Sequence, residues 1–186
     1  MGVTLTKKDK LDEFKRRMKS LGRIRVLVGI PQEKTVRDGE PVTNAELLYI
    51  HTHGVRQPAM KAEMQQNIDK GMKYSKAHAL YVKSYGSPLW QVPPRPVIEP
   101  AIEANKETIA DLMKTGMKDY MHNRNSLNGF RRAGLFGATA AKNWFQDPRN
   151  EWAENAPSTI KRKGSDLPLI DTGDLRASIT YVIRKE

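Results

Sequence analysis

Two stretches near opposite ends of the chain carry the strongest strand signals, and their separation constrains the fold more than any other feature. Arg23 to Ile30 opens with alternating polar and apolar residues, is rich in β-branched side chains, and is closed by Pro31. Ser178 to Arg184 has the same character. Helical patterns dominate the sequence between them. Strands so far apart, with helices intervening, predict an α+β fold: a small, mostly antiparallel sheet packed with two or three helices.

Lys8 to Leu21 reads as a short basic amphipathic helix, because Leu11, Phe14, Met18 and Leu21 recur at intervals of three and four. Gly22 is its stop. Residues 31–42 read as a loop or hairpin tip. Thr43 or Asn44 is placed to cap a helix from Ala45 to His53, which Gly54 ends. A third helical stretch is expected over Met60–His78, interrupted by Gly71, and further strands are expected within 31–42 and 55–92. One long helix is predicted from Val97 to about Met121, with Pro100 in its first turn. A second runs from Phe130 to Phe145, where Ala and Gly imply close packing against a neighbouring helix. Ala156 to Ser178 reads as loop and turn around the apolar stretch Leu167–Ile170.

At 186 residues the chain fits one domain, and no Pro/Ser/Gly linker divides it. An echo links Ala45–Gly54 to Ala77–Gly86, which share Ala, Leu, Tyr and Gly at matching positions; coincidence and local duplication both account for it. Residues 55–91 read as an inserted or extended segment of the single domain 1–186.

Composition removes several classes. The absence of cysteine excludes disulfides, thiol nucleophiles and cysteine-ligated metals. No apolar run approaches the ~20 residues of a membrane span, and Met1 to Lys10 lacks the apolar core of a signal peptide, so a soluble chain with no membrane partner is expected. The net charge of +11, from 32 Lys and Arg against 21 Asp and Glu, favours anionic partners.

Chemical motifs are sparse. His51 and His53 form an H-x-H pair, which would share a face on a strand but point about 200° apart on the helix expected here. Asp171 and Asp174 sit in a turn context, where Asp171 or Thr172 caps a short helix and Gly173 supplies the corner. No nucleophile elbow, phosphate-binding loop or dinucleotide fingerprint is present. The reading is a non-enzymatic protein without a cofactor, a metallohydrolase built on His51 and His53 being the weakest alternative. Basic clusters at Lys15, Arg16, Arg17 and at Lys161, Arg162, Lys163 are candidate contacts to an anionic partner, either phosphate or an acidic protein face. Aromatic residues are not interleaved with them as a base-stacking surface requires.

Two further stretches carry a family likeness. Val92–Ala101 reads VPPRPVIEPA ahead of the long helix, and Ala156–Ile179 contains STIKRKGS followed by LIDTGDLRASI. Together, and in this order, they resemble the neck proteins of tailed bacteriophages, the tail-completion or head-to-tail joining family, whose signature is shared by Mu-like virion morphogenesis proteins. The resemblance covers Val92–Ile183 well and Ile24–Gly54 loosely. In that family a glycine runs quickly into a PPRPF-like segment, as Gly86 does here. Either Gly54 holds that position and 55–91 is an insertion, or Gly86 does and the insertion lies upstream, the echo favouring Gly86; Val97 stands where Phe is commoner.

The resemblance implies a mechanical role in the virion, assembled in the host cytoplasm. It implies a ring of copies of this chain, often six, between head and tail, touching head-side connector or adaptor proteins and tail terminator or tube proteins, with a channel for transient contact with passing DNA. On that reading Pro93, Pro94 and Pro96 stiffen an extended arm, Arg95 offers a bidentate group to a neighbour, and the corner Asp171, Thr172, Gly173, Leu175 and Arg176 aims the last strand. The competing reading is a free DNA-binding protein that grips phosphate with its N-terminal helix and the 161–163 cluster.

Overall fold

A computed structural model describes residues 7–34, 36–37, 39, 41–56, 58–73, 76, 90–122 and 126–186. In chain order these form α1 (Lys7–Leu21), β1 (Ile24–Gly29), α2 (Asn44–His53), β2 (Val55–Arg56), α3 (Pro58–Asp69), β3 (Trp90–Val92), α4 (Ile98–Ala104), α5 (Lys106–His122), α6 (Asn128–Trp144), α7 (Pro157–Lys163), α8 (Asp174–Ser178) and β4 (Thr180–Lys185). The fold is α+β, as the separated strands predict. β1 and β4 pair antiparallel from Ile24 opposite Lys185 to Gly29 opposite Thr180.

A two-stranded ribbon is marginal in water, so this one depends on what lies beneath it. Val28 and Tyr181, opposite each other, face α6, where Gly137 and Gly134 leave room for them. A Cβ on Gly134 would collide with the Tyr181 ring, and one on Gly137 would lie 3.0 Å from Val28 Cγ2. The small residues of α6 serve a helix neighbour as well. Gly129 meets Gly116 of α5 backbone to backbone, so α6 runs antiparallel to α5, with its Gly137 beside Ile102 of α4.

Two hydrophobic clusters mark the two ends of this helix pair. Ile24, Tyr120 and Phe130 form one, with Leu21 and Ile183 packed against it. Val97, Ala101, Ala141, Trp144, Phe145, Leu175, Ile179 and Leu48 form the other. The wholly buried Val97, Phe145 and Ile179 place the second cluster where the chain's middle and end converge.

Several local expectations need correction. The helix expected over Val97–Met121 is broken at Asn105, whose side-chain amide donates to the Ala101 carbonyl at 2.8 Å and whose backbone leaves the helical region at ψ 15°. The 156–178 tail holds two short helices: α7, with Pro157 in its first turn and Gly164 closing it in the left-handed region, and α8. The third helix runs Pro58–Asp69 rather than 60–78, and Gly71, at φ 86°, lies just beyond it. Residues 31–42 contain one 3-10 turn, Gln32–Lys34, and no strand among the described residues, whereas the 55–92 region does contribute β2 and β3. The second copy of the echo, around Tyr85 and Gly86, lies outside the described residues.

Candidate functional site

The PPRP arm is held against its own chain at every turn. The Arg95 backbone N–H donates to the His51 carbonyl at 2.6 Å. Its guanidinium, almost fully buried, donates from Nε and Nη2 to Ala153 O (3.1 and 2.6 Å) and from Nη2 to Glu154 O (3.0 Å). Burial pushes the Arg95 pKa downward, yet a guanidinium starts so high that it keeps its charge. Trp152 Nε1 donates to Pro96 O at 3.2 Å, and its ring stands edge-on to Phe145 at 6.0 Å. The bidentate group expected to reach a neighbour is thus engaged within the chain, and its acceptors are backbone carbonyls. Of the three prolines, Pro94 is exposed, and Pro93 and Pro96 are half-buried.

Gly54 fixes where the arm lies. It sits at φ 70°, and a Cβ there would come within 2.8 Å of Val92 O and 2.9 Å of Pro94 N. No residue with a side chain fits that contact. α2 delivers Gly54 through a complete capping box: Glu46 N–H donates to Thr43 Oγ1, and the Thr43 backbone N–H donates to the Glu46 carboxylate at 2.9 Å. The bonds its carboxylate accepts from the Thr43 backbone N–H and hydroxyl hold the Glu46 pKa below the usual carboxylate range.

The corner at 171–176 turns at Gly173 as expected, but neither Asp171 nor Thr172 is the N-cap of the short helix. Gly173, at φ 90°, is itself the N-cap of α8. Thr172 Oγ1 donates to Asp174 Oδ2 at 2.6 Å and accepts from the Asp174 N–H. Leu175 is buried in the second cluster, so its role is packing. Asp171 is exposed and Arg176 half-buried, with no polar partner for either among the described residues.

The basic clusters divide. Lys15 and Arg16 are exposed and without a partner among the described residues. Arg17 donates to the Met121 carbonyl at 2.6 Å and to Glu13 Oε1 at 2.5 Å, so it closes the C-terminal turn of α5 instead of facing outward. Lys161 and Arg162 are exposed, while Lys163 Nζ donates to Leu167 O at 2.7 Å.

His51 and His53 lie on different sides of α2. His51 is half-buried, and its Nδ1 has no hydrogen-bond partner among the described residues. Burial, and secondarily the Arg95 charge, hold its pKa down to about 4, so the ring is neutral at pH 7. His53 is exposed, bonds Tyr49 O at 2.9 Å through Nδ1, and lies 4.1 Å from the Tyr49 ring. Among the described residues no three His, Asp or Glu side chains are arranged to hold a metal.

Two surface features escape a reading of motifs. Leu11, Phe14 and Met18 of α1 are 52%, 54% and 48% exposed, so most of the apolar stripe faces solvent. The other is an open cleft of about 380 Å³ between α2 and the start of α4, floored by Ile30, Leu48 and Ile98 and bordered by Tyr49, His53 and Glu99. The stripe is visible in sequence, but its outward orientation is not. Comparisons of the chain with family models, with curated proteins and with solved structures each return no match.

Proposed function

We propose that this chain is a structural protein of the tailed-phage neck, which completes the tail or joins it to the head connector as a ring of identical subunits around a DNA channel. The reading assigns it no catalysis and no cofactor. It places the chain in the virion, among connector or adaptor proteins on one side and tail terminator or tube proteins on the other.

The observation that carries the proposal is the meeting of the two stretches of family resemblance. Val97, directly after the PPRP arm, packs with Leu175 and Ile179 of the second stretch in one buried cluster. Arg95 ties the same arm to the 153–154 backbone just ahead of α7. Segments far apart in sequence that jointly resemble one family therefore make one architectural unit, which is what a scaffold motif requires. β2 and β3 add support for reading 55–91 as an insertion. Val55 pairs with Val92, so the chain leaves and returns at the same place, beside the contact of Gly54 with Pro94.

The competing reading, a free DNA-binding protein, needs its cations gathered and available. Arg17 and Lys163 instead bond the chain's own carbonyls. The deciding experiment is electron microscopy of particles assembled from a phage genome that lacks this chain. Filled heads separate from finished tails are expected. Intact virions with a replication or packaging defect would overturn the neck assignment and favour DNA binding, whose signature is affinity that falls steeply with salt.

A further inference from the structure

The orientation of α1 is unusual for an amphipathic helix. Arg17, Ser20 and Leu21 form the side turned toward the body, where Arg17 bonds Met121 O, Ser20 Oγ meets the Tyr120 hydroxyl at 2.7 Å and Leu21 packs against the first cluster. Leu11, Phe14 and Met18 lie about a quarter-turn away, at 100° per residue, and are left half-exposed. Lys15 and Lys19 border that stripe on its outer side. A contiguous apolar strip with a cationic border suits a helix that lies in an apolar groove with an acidic rim.

The same chain carries a groove of matching character. The cleft between α2 and α4 is apolar along its floor and has Glu99 on its rim, with Glu46 in the adjoining first turn of α2. Glu99 has no ion-pair partner among the described residues, so an acidic border meets the cationic one. α1 does not reach the cleft of its own chain. It is pinned to Tyr120 and Met121 at the end of α5, whereas the cleft opens at Ile98 and Glu99, and α5 alone separates them by about 20 Å at 1.5 Å per residue.

We infer that the Leu11–Phe14–Met18 stripe of α1 seats in the α2–α4 cleft of a second copy of this chain, with Lys15 and Lys19 facing Glu99 and Glu46. The two surfaces differ, so the contact is head-to-tail, and repetition of it closes a ring or extends a filament. The inference rests on the ring reading above and names the interface that the ring would use.

The test is sedimentation of the full chain across a concentration series, wild type beside Phe14→Ser and Tyr49→Glu. Both positions are more than half exposed, so both variants fold, which circular dichroism checks. The wild type should self-associate. Each variant alone should associate about tenfold more weakly or worse, since one removes the helix anchor and the other blocks the cleft. Mixed together, the two variants should form a heterodimer that grows no further, because one intact helix and one intact cleft remain between them. Lys15→Glu combined with Lys19→Glu should also break association, and Glu99→Lys added to that pair should restore part of it.

Wild-type rings that persist in both single variants would overturn the helix-in-cleft contact and leave the neck assignment standing. A wild type that stays monomeric would overturn the contact too, with particle morphology then deciding the neck assignment separately. Binding of wild type, but not Phe14→Ser, to phosphatidylserine vesicles without self-association would assign the stripe to a lipid surface and overturn the proposal.

Discussion

The PPRP arm and helix α1 both read in sequence as segments made for partners, and the folded chain treats them in opposite ways. The arm is drawn in. Arg95 is almost fully buried, its guanidinium serves the Ala153 and Glu154 carbonyls, and Pro96 accepts from Trp152. Helix α1 is turned out: its polar side is bonded to the body and its apolar stripe is left in solvent. The difference follows from what each leaves unsatisfied. A buried guanidinium and bare carbonyls satisfy one another within the chain, because an unpaired buried polar group costs about 1–3 kcal/mol. An exposed apolar stripe has no such internal remedy once the other side of the helix is bonded to Tyr120 and Met121 at the end of α5. The arm therefore shapes the chain itself, and the helix is left with the stripe that the proposed contact between copies would use.

The largest expected effect breaks the arm. Arg95→Ala should destabilise the chain by about 3 kcal/mol, since it removes a buried guanidinium and its three charged hydrogen bonds to the Ala153 and Glu154 carbonyls, and urea denaturation should show it as a lowered midpoint. Arg95→Lys should recover only part of this, as an ammonium lacks the fork that reaches both carbonyls. If Arg95→Ala kept full stability and lost only assembly, the arm would be partner-facing and the contrast would fail.

Next comes the support beneath α1. Gly129→Ala forces a methyl group against the Gly116 backbone, and neither helix yields without separating. A loss of about 1–3 kcal/mol is expected in thermal denaturation, with weaker self-association because α1 loses its seat on α5.

A smaller effect reports on the arm's end through pH. The His51 pKa is depressed from 6.5 to about 4 in the folded chain, so between those values the unfolded chain binds more protons than the folded one. Stability should fall as pH drops from 6.5 toward 4, by on the order of 1 kcal/mol after solvent screening. His51→Leu should flatten that part of the profile. Asp147, held at about 2 by Arg149, adds a further loss only below pH 3.8. An unchanged slope in His51→Leu would mean that the ring beside Arg95 is not the group responsible. The smallest effect belongs to Phe14→Ser, which should shift unfolding of the monomer by less than about 0.5 kcal/mol while weakening association.

Much of the frame is legible in the residues themselves. The strands at 24–29 and 180–185 follow from their alternation, and α2 follows from a capping residue at Thr43 or Asn44 and the stop at Gly54. Helix α7 is hidden because its seven residues bury none of their side chains and so carry no apolar period. The break at Asn105 is hidden because it depends on one side-chain bond to Ala101. Arg95 shows why the candidate site is only half legible. Its residue type announces a bidentate bond, but backbone carbonyls are common to every residue and leave no mark that tells which ones it meets. The α1 stripe has the converse difficulty: spacing reveals that three apolar residues share a face, and only the anchoring of Arg17 and Ser20 decides that this face looks outward.

The most direct test of the contrast is zero-length carbodiimide cross-linking of the associated chain, with unlabelled and isotope-labelled copies mixed so that bonds between copies are told apart by mass. Cross-links between copies from Lys15 or Lys19 to Glu99 or Glu46 are expected. Cross-links between copies confined to the arm's surroundings, such as Lys161 or Lys163 to Asp171 or Glu154, with none from α1, would contradict the account and return the joining role to the arm.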